Sequence, residues 1–139
     1  MRHAYKLDLM KKEAVKTGPA PLGLPFSPAV KFEELLFVSG QGPIDKAGKV
    51  IPGDVRVQTR ATLENFKRIM EAAGSSMDCV LQTTVYLKDL ADYSAMNETY
   101  SSFFNDPKPA RTTVQAGDLL FGMMVEIQGI AYVPDRQKK

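Results

Sequence analysis

The stretch Asp54–Leu87, DVRVQTRATLENFKRIMEAAGSSMDCVLQTTVYL, decides the fold. Its first part predicts a helix from Asp54 to Ala73. Asp54 is a suitable N-cap, and Gly74 stands where a left-handed residue closes a helix. Thr59, Leu63, Phe66, Met70 and Ala73 recur at spacings of four and three, which gives one apolar stripe. Arg60, Glu64, Lys67, Arg68 and Glu71 fall off that stripe and read as a solvated face. The second part, Cys79 to Leu87, alternates as a strand. Cys79, Leu81, Thr83, Val85 and Leu87 share one face, and Val80, Gln82, Thr84 and Tyr86 share the other. Cys79 therefore reads as a small buried residue, not a reactive thiol.

Upstream, Gly18–Pro28 holds Pro19, Pro21, Pro25 and Pro28, a density that no regular element tolerates, so it predicts a shaped loop. Val30–Phe32 and Leu35–Ser39, with Glu33-Glu34 between them, predict a hairpin. Gly40, Gly42 and Pro43 end its second strand. Asp45–Gly48 is a turn, and Lys49–Ile51 a further short strand. Downstream, a second helix runs from Asp89 or Asp92 to Phe104, with Tyr93, Met96, Tyr100 and Phe103 as its core stripe. Arg111–Ala116 and Met123–Val133 are the last two strands. This order predicts an α+β chain: a mixed β-sheet with two helices packed on one face. Met124, Ile130 and Tyr132 point away from the helices, so a lone copy leaves apolar surface wet, and a closed homo-oligomer is expected.

With 139 residues there is room for one core and no second domain. A net charge of +2 is too balanced to call for a nucleic-acid or membrane partner. One cysteine excludes an internal disulfide and a multi-cysteine zinc site, and the one histidine, His3, sits where chains fray. No apolar run is long enough to cross a bilayer, and the N-terminus lacks a signal core. A reducing, cytoplasmic setting with no metal and no cofactor is the expectation. Phosphate loops, dinucleotide glycine motifs, nucleophile elbows and metal-ligand spacings are all absent from the sequence.

Two residues are chemically out of place. Arg111 begins a strand straight after Pro109-Ala110, and Glu126 lies inside the apolar run Met124-Val125-Glu126-Ile127. A buried carboxylate must be paired or must shift its pKa upward. The two stand 15 residues apart on strands joined by a short loop, and a simple antiparallel pairing would bring them together. Arg111 would then hold a substrate carboxylate through a two-pronged hydrogen bond, and Glu126 would orient or deprotonate a water. The competing reading is a structural Arg–Glu pair at a subunit interface. Asn97 reads as a surface or helix-packing residue, and Ser27, Ser39 and Gln41 as turn residues. Gly40 either ends a strand or lets a ligand approach the backbone.

Taken together, the chain resembles the RidA/YjgF family of reactive intermediate deaminases. The matching stretches are Phe37–Gln41, Gly53-Asp54 leading to Gln58-Thr59, Asn65 through Glu71–Gly74, Thr83–Leu90, Met96–Tyr100, Phe103-Phe104, Pro109–Arg111 and Val125–Ile127. They span about residues 17 to 133 in the family's order, leaving 1–16 as an N-terminal extension and first-strand region. The resemblance implies a chorismate-mutase-like single domain and a homotrimer with sites in clefts between subunits. It implies hydrolysis of enamines and imines, such as 2-aminoacrylate and 2-iminopropanoate, to 2-keto acids and ammonia. The carboxylate-binding arginine falls on Arg111, the water-linked acid on Glu126, and further pocket positions on Gly40, Asn97 and Thr113. The family's Gly-Pro-Tyr-Ser-Gln loop reads here Leu24-Pro25-Phe26-Ser27-Pro28, so Phe26 lines the substrate end without a phenolic hydroxyl. Other readings are a non-catalytic ligand-binding or chaperone-like trimer, and a ribonuclease that inhibits translation.

Overall fold

The computed structural model describes residues 11–17 and 23–134. His3 and part of the proline-rich loop lie outside the described residues, as does most of the N-terminal extension. Six strands form one sheet: β1 (Glu13–Ala14), β2 (Ala29–Phe32), β3 (Leu35–Gln41), β4 (Val80–Leu87), β5 (Ala110–Gln115) and β6 (Val125–Tyr132). Two α-helices, α1 (Val55–Ala72) and α2 (Tyr93–Ser101), pack on one face of it and against each other. The strand order is β1-β2-β3-β6-β4-β5, with β4 and β5 parallel and every other neighbour antiparallel.

Local chemistry explains most of these elements. The Asp54 side chain accepts from the Val57 N–H at 3.0 Å, capping α1, and Gly74 closes it at φ 80°. Thr59, Leu63, Phe66 and Met70 are buried against the sheet. Burying each of the three large ones is worth about 1.5–3 kcal/mol. The sheet meets them with Leu36, Val38, Val85, Leu87, Val125, Ile127 and Ala131, also buried. Gly129 is the notch that lets α1 come close. A Cβ there would stand 2.7 Å from the Gln82 carbonyl oxygen and 3.0 Å from the Phe66 ring.

Four expectations need correction. Lys49–Ile51 is no strand; a single bridge joins Ile44 to Val50 across the turn. The alternation in β4 does not begin at Cys79, which sits in a short 3-10 turn, Met77–Cys79. A register shift between Val80 and Gln82 buries Val80 and exposes Leu81, and regular alternation starts only at Gln82. The core stripe of α2 is Met96 and Tyr100, continued by Phe104; Tyr93 is exposed and Phe103 half-buried. Most consequentially, β5 does not pair with β6, because β4 lies between them.

The sheet's other face carries Leu35, Phe37, Val114 and Tyr132, all exposed in the single chain, with half-buried Ile130 between them. That is the apolar surface expected around Ile130 and Tyr132; Met124, expected there as well, instead packs half-buried against the core.

The notch has a simple test. Gly129→Ala should lower unfolding free energy by about 1–3 kcal/mol through overpacking, whereas Gly117→Ala, with open space around it, should change little. Equal urea midpoints for both variants would contradict the close packing of Phe66 on β6.

Candidate functional site

Arg111 is the second residue of the edge strand β5, paired in register with Thr83 of β4. Its side chain lies on the helix face of the sheet and runs to α2. The guanidinium carbon sits 4.7 Å from the centre of the Tyr100 ring and 5.6 Å from that of Tyr93. Nη2 donates to the Tyr93 hydroxyl at 3.3 Å, and Nη1 faces the Met96 sulfur at 3.8 Å. Among the described residues no carboxylate reaches it; Arg56, in contrast, forks onto Glu98 at 2.9 and 3.1 Å. Arg111 is thus an aromatic-shelved cation with its strongest binding capacity unused.

The neighbours of Arg111 are polar and underemployed. Thr113 is two residues along the same face of β5, and its buried hydroxyl has no partner among the described residues. The Asn97 Oδ1, on α2, is likewise buried and unpartnered. The Asn97 amide beside the Tyr93 hydroxyl, together with the Arg111 charge, holds that phenol below its ordinary pKa. Tyr100 goes the other way: burial raises its pKa, and its hydroxyl is taken up by Thr83 at 2.6 Å.

Glu126 belongs to a different place. It is the second residue of β6 and pairs with Tyr86 of β4. Tyr86 and Thr83 are three residues apart in β4, so Glu126 and Arg111 project from opposite faces of the sheet. Two strand spacings and three residue rises put their backbones roughly 14 Å apart. The expected approach of these two groups within one chain does not occur.

Gly40 closes down on Glu126. A Cβ at Gly40 would lie 2.7 Å from the Glu126 Oε2 and 2.9 Å from its Cδ, so glycine is what gives the carboxylate its seat. Partial burial raises the Glu126 pKa, and no donor among the described residues offsets the loss of water. The loop carrying Phe26 is pinned beside this seat: the Ser39 hydroxyl donates to the Ser27 carbonyl at 2.6 Å, and the Ser39 N–H to the Pro28 carbonyl at 3.0 Å. Phe26 itself is 60% exposed.

Two half-sites result: Arg111, Asn97 and Thr113 at the β5–α2 edge, and Glu126, Gly40 and Phe26 at the end of β3 and β6. Three further residues matter that the pattern of the sequence hid. Tyr93 looked like core because it continues the α2 spacing. Gln58 and Asn65 stand in stretches that match the family but carry no role of their own in the pattern. Gln58 accepts from the Met124 N–H at 2.9 Å and donates to the Ile51 carbonyl at 3.1 Å, while Asn65 donates to the Gly42 and Ile44 carbonyls, both at 2.9 Å. These bonds fix the backbone next to Gly40 and Glu126.

Comparisons with known proteins agree with this architecture. The family model described as Endoribonuclease L-PSP matches residues 16–133. A RutC family protein of Pyrococcus horikoshii is 47% identical over 124 residues, covering 87% of this chain and 98% of that protein. The protein called Reactive Intermediate Deaminase A, chloroplastic, of Arabidopsis thaliana is 41% identical, over 88% of this chain and 66% of that one. Among solved structures, the YjgF gene product of E. coli superimposes with a TM-score of 0.79 at 36% identity, covering 88% of this chain and 99% of that chain.

The seat at Gly40 can be tested by coupling. Gly40→Ala should cost about 1 kcal/mol by forcing Glu126 off its rotamer, and nothing comparable in a Glu126→Ala background. Equal costs in both backgrounds, read from urea unfolding, would mean that Gly40 does not serve the carboxylate. The raised pKa makes a second forecast. Ionising Glu126 is harder in the folded state, so its favourable contribution is complete below the ordinary carboxylate range and fades as pH rises through the raised value. Glu126→Gln should therefore be more stable than wild type at neutral pH, with the gap closing on acidification; a gap independent of pH would contradict the desolvation.

Proposed function

This chain belongs to the RidA/YjgF family, and from that premise we propose that it hydrolyses reactive 2-imino acids and their enamine tautomers to 2-keto acids and ammonia. The reading rests above all on one observation, that Arg111 is held on two aromatic rings with no acid among the described residues to neutralise it. A planar two-pronged cation so placed suits a carboxylate of the same geometry. Glu126, desolvated and without a donor among the described residues, suits a group that takes a proton from water and returns it.

In the proposed reaction Arg111 grips the substrate carboxylate and so fixes the imine carbon, with Asn97 and Thr113 alongside. Glu126 takes a proton from a water, whose oxygen bonds to that carbon while the C=N pair moves to nitrogen and is protonated. The carbinolamine then loses ammonia as its C–N bond breaks, leaving the keto acid. Positioning and proton transfer supply the acceleration. Gly40 gives the carboxylate its room, and Phe26 faces the substrate's side chain. We propose no cofactor and no metal.

Since the two half-sites lie on opposite faces of one chain, the proposal requires two copies, Arg111 coming from one and Glu126 from its neighbour. A homotrimer does this three times over and covers the apolar sheet faces around Leu35, Phe37, Val114 and Tyr132. The proposed setting is the cytoplasm, on the strength of the free buried thiol of Cys79. Among the described residues no helix is long and apolar enough to cross a membrane.

The test generates 2-imino acids from alanine, leucine and methionine with an amino-acid oxidase and catalase, and traps survivors with semicarbazide. Wild type should lower trapping. Arg111→Ala should lose about a hundredfold or more in kcat/KM, the worth of two charge-assisted hydrogen bonds. Arg111→Lys should recover little of it. Full activity in Arg111→Ala would overturn the assignment.

A further inference from the structure

Tyr93 and Tyr100 both shelve Arg111, yet their hydroxyls are used differently. The Tyr100 hydroxyl is buried and committed to Thr83 at 2.6 Å. Tyr93 is 43% exposed, and its oxygen accepts from Arg111 Nη2 at 3.3 Å. A phenol oxygen that accepts from a cation keeps its own proton free to donate. Nη2 carries two hydrogens, so the one not spent on Tyr93 is available to an incoming anion beside that phenol. An anion oxygen bound there falls within reach of both groups.

We propose that Tyr93 is a second donor to the carboxylate held by Arg111, making with it an Arg–Tyr clip for 2-imino and 2-keto acids. This rests on the reading of Arg111 given above and adds a substrate-touching residue to it. The alternative, a shelf that merely supports the guanidinium, needs the ring and not the hydroxyl. Tyr93→Phe separates the two, because it keeps the ring and its packing.

The Asn97 amide and the Arg111 charge pull the phenol's pKa down. The clip therefore opens on the alkaline side, where a phenolate would repel the carboxylate.

The experiment is calorimetric titration of the full-length protein with pyruvate, which carries the same carboxylate and needs no turnover. Tyr93→Phe should bind about tenfold more weakly than wild type, the loss of one hydrogen bond to a charged group. Wild-type affinity should fall as pH rises through the phenol's range, and that fall should be missing from Tyr93→Phe. Arg111→Ala should bind no pyruvate. Equal dissociation constants and equal pH profiles for wild type and Tyr93→Phe would overturn the clip and leave the Arg111 reading standing. Failure of wild type to bind pyruvate would overturn both.

Discussion

Strand β4 stands between β5 and β6, and its position controls where every candidate group ends up. A parallel partner cannot be reached by a tight turn; the chain must cross over, and the segment containing α2 makes that crossing between β4 and β5. Strand β5 is thereby sent to the sheet's edge. The chain then returns past the end of β4, tied there by the Ala116 N–H to the Leu87 carbonyl at 2.8 Å and the Lys88 N–H to the Met124 carbonyl at 3.0 Å. Strand β6 fills the gap between β3 and β4. Arg111 consequently faces α2, and Glu126 emerges on the uncovered side.

The covered side does a second job. Helix α1 seats Phe66 on Gly129, so that a ring rests on bare backbone where any side chain would push the layers apart. At the same place its polar residues reach past the core. Gln58 and Asn65 hold the loop that follows β3 and the backbone entering β6. Half-buried or buried amides of this kind are costly when unsatisfied and rigid when satisfied. They set the spacing of Gly40 and Glu126, two residues that are far apart in the chain and in van der Waals contact in the fold. Packing energy and site geometry thus come from one helix.

Much of this was legible in the residues. The cap at Asp54, the closing Gly74 and the stripe through Phe66 announce α1, and Glu33-Glu34 between two apolar runs announces the β2–β3 hairpin. Arg111 and Glu126 stood out because charge does not belong in those strands. The sequence did not show which strand neighbours which. Periodicity fixes a residue's face but says nothing of the strand order, so a short loop between β5 and β6 looked like a hairpin. The irregularity at Val80–Gln82 was hidden for a related reason, since Val80 and Leu81 are both apolar and either can be buried. Tyr93 was hidden by its own chemistry: an aromatic residue at helical spacing looks the same whether it fills a core or shelves a cation.

In the proposed site, Arg111 comes from one copy and Glu126 from another. This arrangement is tested most directly by mixing the variants Arg111→Ala and Glu126→Gln, each expected to be inactive alone, unfolding them together and refolding. Random assembly of equal amounts into closed trimers pairs an intact Arg111 with an intact Glu126 at about a quarter of the sites. The account predicts recovery of imine hydrolysis to about that fraction of wild type. If the two groups act within one chain, no site in the mixture is complete, and the mixture stays as inactive as either variant alone.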